Sequence, residues 1–500
     1  MTVPTEAGDL TPEECPEADV TEFEQEFADT AGRTPLVIKL LVAATFVVIL
    51  NETIMINAIP TLMDDFDIDE RAAQWLSTVF MLTMAAVIPV TGWFLQRVST
   101  RAAYATAMTA FSAGTLLAAV APVYEVLLVA RAIQASGTAV MMPLLMTTLM
   151  TVVAESDRGR VMGQVTLAMS CAPALGPAVS GVLLQLGSWR LIFAVVLPIA
   201  ATVGLLGMRQ LQNVGEPHVS TVSWTSVALA ALGFGSLVYG LSEIGVGDSA
   251  TTAAFITVGG VLVAAFAGYQ VYLQRSDSPL LDLRTLRHRT YTVSLLLMAA
   301  AFMAFLGSMI LLPLYLQDPA IRNLSALETG LIVMPGGLAM GLLGPQVGKL
   351  YDRFGSRPLV IPGAIGMVAS LLVLAQISMT TPLWLLVVVH IALMASLAAI
   401  FTPVFTIGLG DLPPALYSHG SSLLGTLQQV AGAVGTAVLV VVMTNRAEGL
   451  AAGGIPVPDA FVGGLQWAFY GGALMGVVVV LLALMLPARV EAPEGAPVGH

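Results

Sequence analysis

The chain has 500 residues, of which 57% are hydrophobic and only 10% are charged, and its formal net charge is −12. Soluble domains carry about 25% charged residues, so this composition excludes a water-soluble globular protein. The long apolar runs instead indicate helices that cross a lipid bilayer, since a spanning helix needs about 20 apolar residues and satisfies its own backbone polar groups. They do not show the alternating polarity of membrane β-barrel strands.

The first segment of the chain, residues 1–35, is rich in Pro, Glu and Asp and holds much of the acidic charge. Segments of this composition bury too little apolar surface to fold, so we predict a disordered acidic tail. The tail lacks a basic region followed by an apolar core, and it is therefore not expected to be a signal peptide. The rest of the chain is near charge balance, which gives no reason to expect a nucleic-acid partner.

Fourteen apolar stretches are long enough to cross the membrane. They are 36–58, 73–95, 102–121, 124–148, 161–186, 190–208, 223–243, 252–273, 291–316, 327–349, 358–377, 383–405, 421–443 and 464–487. Most of the 20 Lys and Arg residues fall on one side of this arrangement, and such residues are retained in the cytoplasm. Both termini, including the tail 488–500, are thus predicted to be cytoplasmic. The low lysine content favours a bacterial source and hence its cytoplasmic membrane.

One loop sequence occurs twice. GWFLQRVSTR begins at Gly92 after the second span, and GKLYDRFGSR begins at Gly348 after the tenth. The repeat predicts two six-helix halves, 36–210 and 291–487, with an inserted helix pair and linker at 211–290. Repeated halves are typical of secondary transporters, which hold their substrate near the membrane midplane between the halves.

Both repeated loops carry charged residues at helix ends that face the cytoplasm. The charged residues are Arg97 and Arg101 in the first copy and Asp352, Arg353 and Arg357 in the second, and the copies open with Gly92 and Gly348. Carboxylates and guanidiniums at such positions can cap helix dipoles and pair with each other. We therefore predict a conformational latch that holds the cytoplasmic ends together and opens when the halves rock. Anchoring by positive charge alone is the alternative, and the matching positions of the two copies favour the latch.

Two ionisable residues lie within predicted spans, Glu52 in the first and Arg131 in the fourth. Charged groups inside the bilayer are costly, so a functional role is the default hypothesis for each. For Arg131 the alternative is a structural arginine satisfied by neighbouring helices. Asn51 and Asn57 are candidate polar residues of a substrate cavity beside Glu52, and Pro60 is expected to end the first helix at the outer surface.

Small residues interrupt the fifth span at Gly176, Pro177 and Gly181. A proline within a helix removes a backbone donor and tends to kink the helix, while small residues permit close helix packing. A similar small-residue run in the thirteenth span carries Gln428 and Gln429, which are further candidates for the substrate cavity.

These features resemble the signature motifs of the major facilitator superfamily. Fourteen spans with an extra helix pair between the halves resemble its drug:proton antiporter branch. Besides the repeated loop, LNETIMINAIP resembles the first-helix motif, LLVARAIQASGTA the fourth-helix motif and CAPALGPAVSGVLL the fifth-helix antiporter motif. The resemblance covers about residues 36–487 and implies the fold of that family, with no cofactor.

The resemblance also implies roles for individual residues. Arg131 matches the fourth-helix arginine and is thereby expected to take part in proton coupling, and Gln134 matches a polar position of the same motif. Gly176, Pro177 and Gly181 match the face that seals the cavity in antiporters.

Several positions depart from the family pattern, among them Ser99, Ala172 and Ser180, which replace glycines with other small residues. Two further departures affect the predicted roles. Gln96 stands where the first loop usually has Asp, which predicts a weaker latch in the first half. Asn51 stands at the usual first-helix Asp position, and the acid follows one place later as Glu52. One residue is about 100° around a helix, so the acid points in another direction.

The leading expectation is proton-driven export of amphipathic drugs or other organic compounds by alternating access. Glu52 would take a proton from outside and release it inward in competition with the substrate, with Arg131 helping to set that release. No GxxxxGK[ST] phosphate-binding loop occurs in the sequence, so ATP is not the expected energy source. Neither a metal site nor a catalytic residue is predicted, and the expected partners are small amphipathic substrates, protons and membrane lipid, with the protein a monomer.

Other functions remain open at this point. Export of an endogenous metabolite such as an amino acid, peptide or lipid would use the same fold. A membrane enzyme, for example an acyltransferase using His390, or a receptor without transport is a more remote alternative.

Overall fold

The computed structural model describes residues 34–489 apart from 57, 212, 214–221, 245–246 and 277–278. Within these residues, fourteen helices are long and apolar enough to cross a membrane, which confirms the predicted all-α polytopic fold. They are α1 (Leu36–Ile56), α2 (Glu70–Arg97), α3 (Thr100–Ala119), α4 (Tyr124–Val152), α5 (Arg158–Leu186), α6 (Arg190–Gln210), α7 (Trp224–Ser242), α8 (Ser249–Leu273), α9 (Arg289–Gln317), α10 (Ala326–Phe354), α11 (Arg357–Leu374), α12 (Leu383–Gly410), α13 (Tyr417–Ala452) and α14 (Val457–Met485). The predicted disordered tail falls almost wholly outside the described residues.

Helix contacts within the first six helices recur within the last six. α1 packs against α4, α5 and α6, as α9 packs against α12, α13 and α14. α4 packs against α2 and α3 as α12 packs against α10 and α11, and α3 packs against α6 as α11 packs against α14. Each of the helices α1 to α6 therefore has its counterpart eight helices later, among α9 to α14. The exact domain boundaries predicted from the sequence stay a prediction.

The two sets of helices also meet in a symmetric way. α5 packs against α10 and α12, and α13 packs against α2 and α4. The central seam of the molecule is thus built from two equivalent contacts related by an approximate two-fold axis. At one end of this seam α2, α4, α10 and α12 end and α3, α5, α11 and α13 begin. We call it the basic end because Arg97, Arg101, Arg158, Arg160, Arg353 and Arg357 lie there.

The inserted helices α7 and α8 pack against each other, and α7 also packs against both α2 and α13. Phe234 and Val238 of α7 belong to one apolar cluster with Ala85 of α2 and with Ala433 and Ala437 of α13. The small side chains of α2 and α13 let the larger side chains of α7 approach closely. Helix α7 therefore lies along the α2–α13 side of the seam.

Two features of the elements differ from expectation. Pro60 does not end α1, which stops at Ile56; instead it lies in the first turn of a short helix, Ile59–Phe66. A proline is well accommodated there because first-turn N–H groups have no partner within the helix. Helix α13 is 36 residues long and extends beyond the predicted span 421–443 at both ends. Hydropathy detects only the apolar part of a helix, and the polar ends of α13 are helical as well.

Candidate functional site

A buried polar network surrounds Arg131 in α4. The side chain of Arg131 is 1% exposed. Its Nη1 donates to Gln134 Oε1 at 3.1 Å and to Asn51 Oδ1 at 3.5 Å, and its Nε donates to the Leu76 carbonyl at 3.3 Å. The guanidinium also lies 4.2 Å from the centre of the Phe80 ring. All of these partners are uncharged, so dipoles and a ring face solvate the cation.

The network continues from α4 into α3. Gln134 is fully buried and its Nε2 donates to Thr115 Oγ1 at 2.9 Å, while Thr115 donates to the Phe111 carbonyl at 2.7 Å. A hydrogen-bonded, fully buried network of this kind fixes side-chain positions. One face of α4 is thereby tied to α1, α2 and α3.

Asn51 and Glu52, adjacent in α1, lie in different surroundings. Asn51 is fully buried, and its Nδ2 has no hydrogen-bond partner among the described residues. Glu52 stays partly exposed and interacts electrostatically with Arg131 without being one of its hydrogen-bond partners. The rotation of about 100° between consecutive helix residues accounts for this division. Asn57, the third predicted polar residue of this segment, lies outside the described residues.

The predicted antiporter face of α5 contacts α1 closely. A Cβ atom on Gly176 would overlap Thr53, whose Oγ1 lies 3.4 Å from the Ala172 carbonyl. Only glycine at 176 permits this approach of the two helices. Gly181, by contrast, has space, since a Cβ atom there would lie 4.0 Å from Leu327 of α10. Pro177 lies between them in the same helix.

At the basic end, Asp352 of α10 joins the two halves. Its Oδ1 accepts the backbone N–H of Gly159 at 2.8 Å and its Oδ2 accepts that of Arg160 at 2.7 Å. These N–H groups belong to the first turn of α5, where a carboxylate is favoured by unpaired donors and by the helix dipole. A Cβ atom on Gly348 would overlap the carbonyl of Gly159, so glycine is required for this contact.

The first loop copy bridges the halves at the equivalent place. Gln96 Nε2 donates to the carbonyl of Ala415, just before α13, at 2.9 Å. One turn earlier, a Cβ atom on Gly92 would lie 3.3 Å from the Cα of His419, so α2 and α13 approach closely. Gln96 thus binds a carbonyl where its counterpart Asp352 binds two N–H groups, because an amide can donate and a carboxylate cannot.

The arginines of the two loops have other contacts. Arg357 Nε donates to the Leu486 carbonyl at 2.7 Å, and the carbonyl of Arg353 accepts from Arg489. These bonds tie α11 and the end of α10 to the segment after α14, within one half. The guanidinium of Arg97 lies 5.6 Å from the centre of the Trp93 ring, and the backbone N–H of Arg101 donates to Asn213.

Several residues that bridge the seam were not predicted from the sequence. Thr91 and Ser422 are hydrogen-bonded through their hydroxyls at 2.8 Å, as are Thr147 and Ser421 at 3.0 Å. Arg158 reaches the hydroxyl of Tyr417 at 3.4 Å. Single hydroxyls carry no recognisable sequence signal, although Ser421 and Ser422 do lie in the first turns of the helix with the small-residue run. These bonds all lie in the part of the bundle nearest the basic end.

The two predicted glutamines of α13 lie at the middle of the seam. Gln429 Nε2 approaches Met84 Sδ of α2 at 3.7 Å. Gln428 Nε2 is buried and has no hydrogen-bond partner among the described residues. An amide donor without a partner is costly to bury, and it would be satisfied by a polar group of a bound molecule.

Two equivalent six-helix sets, a seam between them and an intramembrane arginine network define a membrane transporter of the repeated-half type. The chain belongs to the Major Facilitator Superfamily, whose sequence model matches residues 41–436. This confirms the predicted family and major-facilitator fold. Since the family consists of transporters, the membrane-enzyme interpretation of His390 is set aside.

Known proteins resemble the chain over most of its length. It is 37% identical over 464 residues to YcnB of Bacillus subtilis, an uncharacterised MFS-type transporter, covering 92% of this chain and 97% of YcnB. It is 37% identical over 461 residues to the lincomycin resistance protein LmrB of Listeria monocytogenes, covering 90% of this chain and 96% of LmrB. In fold it is similar to the human organic anion transporter MFSD10, with a TM-score of 0.63 at 14% identity, covering 90% of this chain and 100% of MFSD10.

Proposed function

We propose that the protein exports amphipathic drugs or related organic compounds in exchange for protons, by alternating access of a site between its two halves. The observation that carries the proposal is a carboxylate and a guanidinium, Glu52 and Arg131, on the membrane-spanning helices α1 and α4. Similarity to LmrB, named as a lincomycin resistance protein, supports drugs as the substrate class.

The basic end faces the cytoplasm in this proposal, and both tails, 1–35 and 488–500, lie on that side. The reason is that positive residues concentrated at one end of a bundle are retained inside the cell. The similarity to bacterial transporters supports the cytoplasmic membrane of a bacterium as the location. The protein acts as a monomer, because one chain supplies both halves and the seam between them.

The coupling step uses the position of Glu52. When Glu52 is charged, it is attracted by Arg131, and this attraction disappears when the carboxylate takes a proton from outside. Arg131 is fully buried and Glu52 is less so, and Glu52 is therefore the group of the pair that takes the proton. Substrate and proton then compete for the same charge, and release of the proton inward accompanies capture of the substrate. Asn51, Gln134, Gln428 and Gln429 supply polar contacts of the cavity, and Asn57, outside the described residues, is a further candidate from the sequence.

Closure of the cytoplasmic end uses the two loop copies. Asp352 caps α5 and Gln96 binds the segment before α13, so both contacts that build the seam are fastened at the basic end. Rocking of the halves breaks these bonds and opens the cavity to the cytoplasm. Gly92 and Gly348 permit the close approach, and Gly176, Pro177 and Gly181 supply the small-residue face that closes the cavity along α5.

The proposal is tested with the full chain in proteoliposomes under an imposed pH gradient, with lincomycin and ethidium as probes. The wild type is expected to move both probes against their gradients. Glu52→Gln should keep probe binding and lose gradient-driven movement, whereas the control Glu125→Gln, at an exposed position of the first turn of α4, should behave as the wild type. Full gradient-driven movement in Glu52→Gln would remove Glu52 from the coupling role.

A further inference from the structure

The two halves share a register that can be read from their loops. Gly348 follows Gly92 by 256 positions, and Pro345 of α10 follows Pro89 of α2 by the same interval. At this interval Phe80 of α2 corresponds to Gly336 of α10. Phe80 contacts Arg131 in the first half, so the surroundings of Gly336 are the equivalent region of the second half.

At the same interval Arg131 corresponds to Val387, and His390 lies about one helical turn further along α12, where it packs against Gly336, the counterpart of Phe80. Arg131 is the eighth residue of α4, and His390 is the eighth residue of α12, the counterpart of α4. Arg131 lies against Phe80 and binds the carbonyl of Leu76. His390 lies against Gly336, where an added Cβ atom would come within 2.7 Å of its Nε2, and it interacts with the backbone of Val333. The absent side chain at position 336 makes the space that the imidazole ring fills.

Arg131 and His390 differ in how many of their side-chain nitrogens have hydrogen-bond partners. Arg131 has hydrogen-bond partners on both Nε and Nη1. His390 is 4% exposed, and its Nε2 has no hydrogen-bond partner among the described residues. A buried polar atom without a partner is uncommon in a folded protein and calls for a functional explanation. Imidazole can gain and lose a proton in the physiological range, whereas guanidinium cannot.

The ionisable residues of the helices around His390 lie mostly far from it along the chain direction of those helices. The ionisable residues of the helices that pack against α12 are Arg289, Tyr291 and Tyr315 of α9, Glu328, Lys349, Tyr351, Asp352 and Arg353 of α10, Arg357 of α11, Tyr417, His419, Arg446 and Glu448 of α13, and Arg158, Arg160 and Cys171 of α5. All of them but Cys171 lie toward the ends of their helices. A proton on His390 would thus place a positive charge midway along these helices, where none of their described residues carries one.

We propose that His390 is a second proton-binding residue of the transport cycle, the counterpart in the carboxy-terminal half of the Glu52–Arg131 site. Its Nε2 lone pair takes a proton from water when the cavity is open to the outside and returns it to water on the cytoplasmic side. Two protons then enter for each substrate molecule exported. This inference rests on the proposed function, since it adds a second carrier to the same exchange.

The test measures how steady-state accumulation of ethidium depends on the pH gradient. Wild-type proteoliposomes are clamped at zero membrane potential, and the logarithm of the accumulation ratio is plotted against the pH difference. Since the slope counts the protons exchanged, His390→Gln should lower it from about two to about one. The control His288→Gln, at the start of α9 outside the predicted spans, should leave the slope unchanged.

The outcomes separate the two proposals. A wild type whose accumulation ignores the pH gradient overturns the proposed function itself. A wild-type slope that persists in His390→Gln overturns only the role of His390, even if the apparent KM for ethidium rises, because the side chain would then only contact substrate. Should His390→Gln fail to fold, His390→Asn replaces it. The protons released by detergent-solubilised wild type per ethidium bound give an independent count, and about one proton contradicts the proposal.

Discussion

The carboxylate of Asp352 in α10 accepts the backbone N–H of Gly159 in α5 at 2.8 Å, so one half of the molecule caps a helix of the other half. At the other contact of the seam, between α2 and α13, the equivalent bond runs from Gln96 to a carbonyl. The two contacts are therefore equivalent in position and unequal in strength, because hydrogen bonds to a charged group are stronger than neutral ones.

Asp352→Asn should weaken closure of the basic end. The substitution removes the charge that faces two N–H groups, and hydrogen bonds to charged groups contribute about 1.5–3 kcal/mol each. The closed population should therefore fall roughly tenfold or more. The measurement is the rate at which a membrane-impermeant thiol reagent modifies Ser418→Cys, placed in a background without Cys15 and Cys171. Asp157→Asn, which removes an ion pair within one turn at the same end, is the control and should change the rate little. Equal rates in both variants would contradict the capping role.

Gly348→Ala should obstruct the same closure by steric overlap. The added methyl group would meet the backbone carbonyl of Gly159, and backbone cannot move aside as a flexible side chain can. Modification of Ser418→Cys should accelerate, and transport should slow. Gly260→Ala in α8 is the matched control because an added Cβ atom there meets nothing within 4 Å. A Gly348→Ala protein with the wild-type modification rate would show that the halves do not need this contact.

Arg131→Lys should impair transport although it keeps the charge. The ammonium group cannot reach Asn51, Gln134 and the Leu76 carbonyl in the planar geometry of a guanidinium. Leaving a buried acceptor unpaired costs about 1–3 kcal/mol, so a drop in Tm and at least a roughly tenfold loss of transport rate are expected. Arg446→Lys, at an exposed position over the Trp467 ring, is the control and should lose little in either measurement. Unchanged transport by Arg131→Lys would indicate that charge alone is needed at this place.

Asp65→Asn should remove a pH-dependent contribution to stability. Hydrogen bonds from Trp189 Nε1 at 2.8 Å and Arg190 Nη1 at 3.1 Å hold the pKa of the Asp65 carboxyl below its usual value. A carboxyl with a lowered pKa stabilises the fold at neutral pH, and this contribution is lost as the pH falls through that pKa. The Tm of the wild type should thus exceed that of Asp65→Asn at neutral pH and converge with it in acid. Asp64→Asn, at the exposed neighbouring position, should show no such convergence.

Much of the architecture follows from the sequence because bilayer thickness fixes the length of an apolar run. The fourteen spans and the family were predictable on this basis, and the repeat of Gly92 at Gly348 indicated two related halves. The short helix Ile59–Phe66 was not predicted, since a proline at the first turn of a helix has the same sequence signal as a proline that ends one. This helix also carries Asp65, whose contacts with Trp189 and Arg190 have no signal in the sequence.

The candidate site could be predicted only in part. The sequence singles out Arg131 and Glu52 because charge inside an apolar run is rare. It cannot show that Asn51, and not Glu52, is the hydrogen-bond partner of Arg131, since that depends on the rotation of α1 against α4. It also gives no reason to pair His390 with Arg131, because the two helices share little sequence and only the contacts with α2 and α10 bring out the correspondence.

The position of α7 gives the seam between the halves two unlike flanks. On one flank, Phe234 and Val238 fill the gap between α2 and α13 and separate it from surrounding lipid. On the other flank, α5 and α10 pack against each other, and neither α7 nor α8 packs closely against them within the described residues. The surrounding lipid therefore borders the seam along α5 and α10, whereas α7 covers it along α2 and α13. Hence the extra helix pair breaks the symmetry of the two halves at their outer surface, because it shields one flank of the seam and leaves the other to the α5–α10 contact.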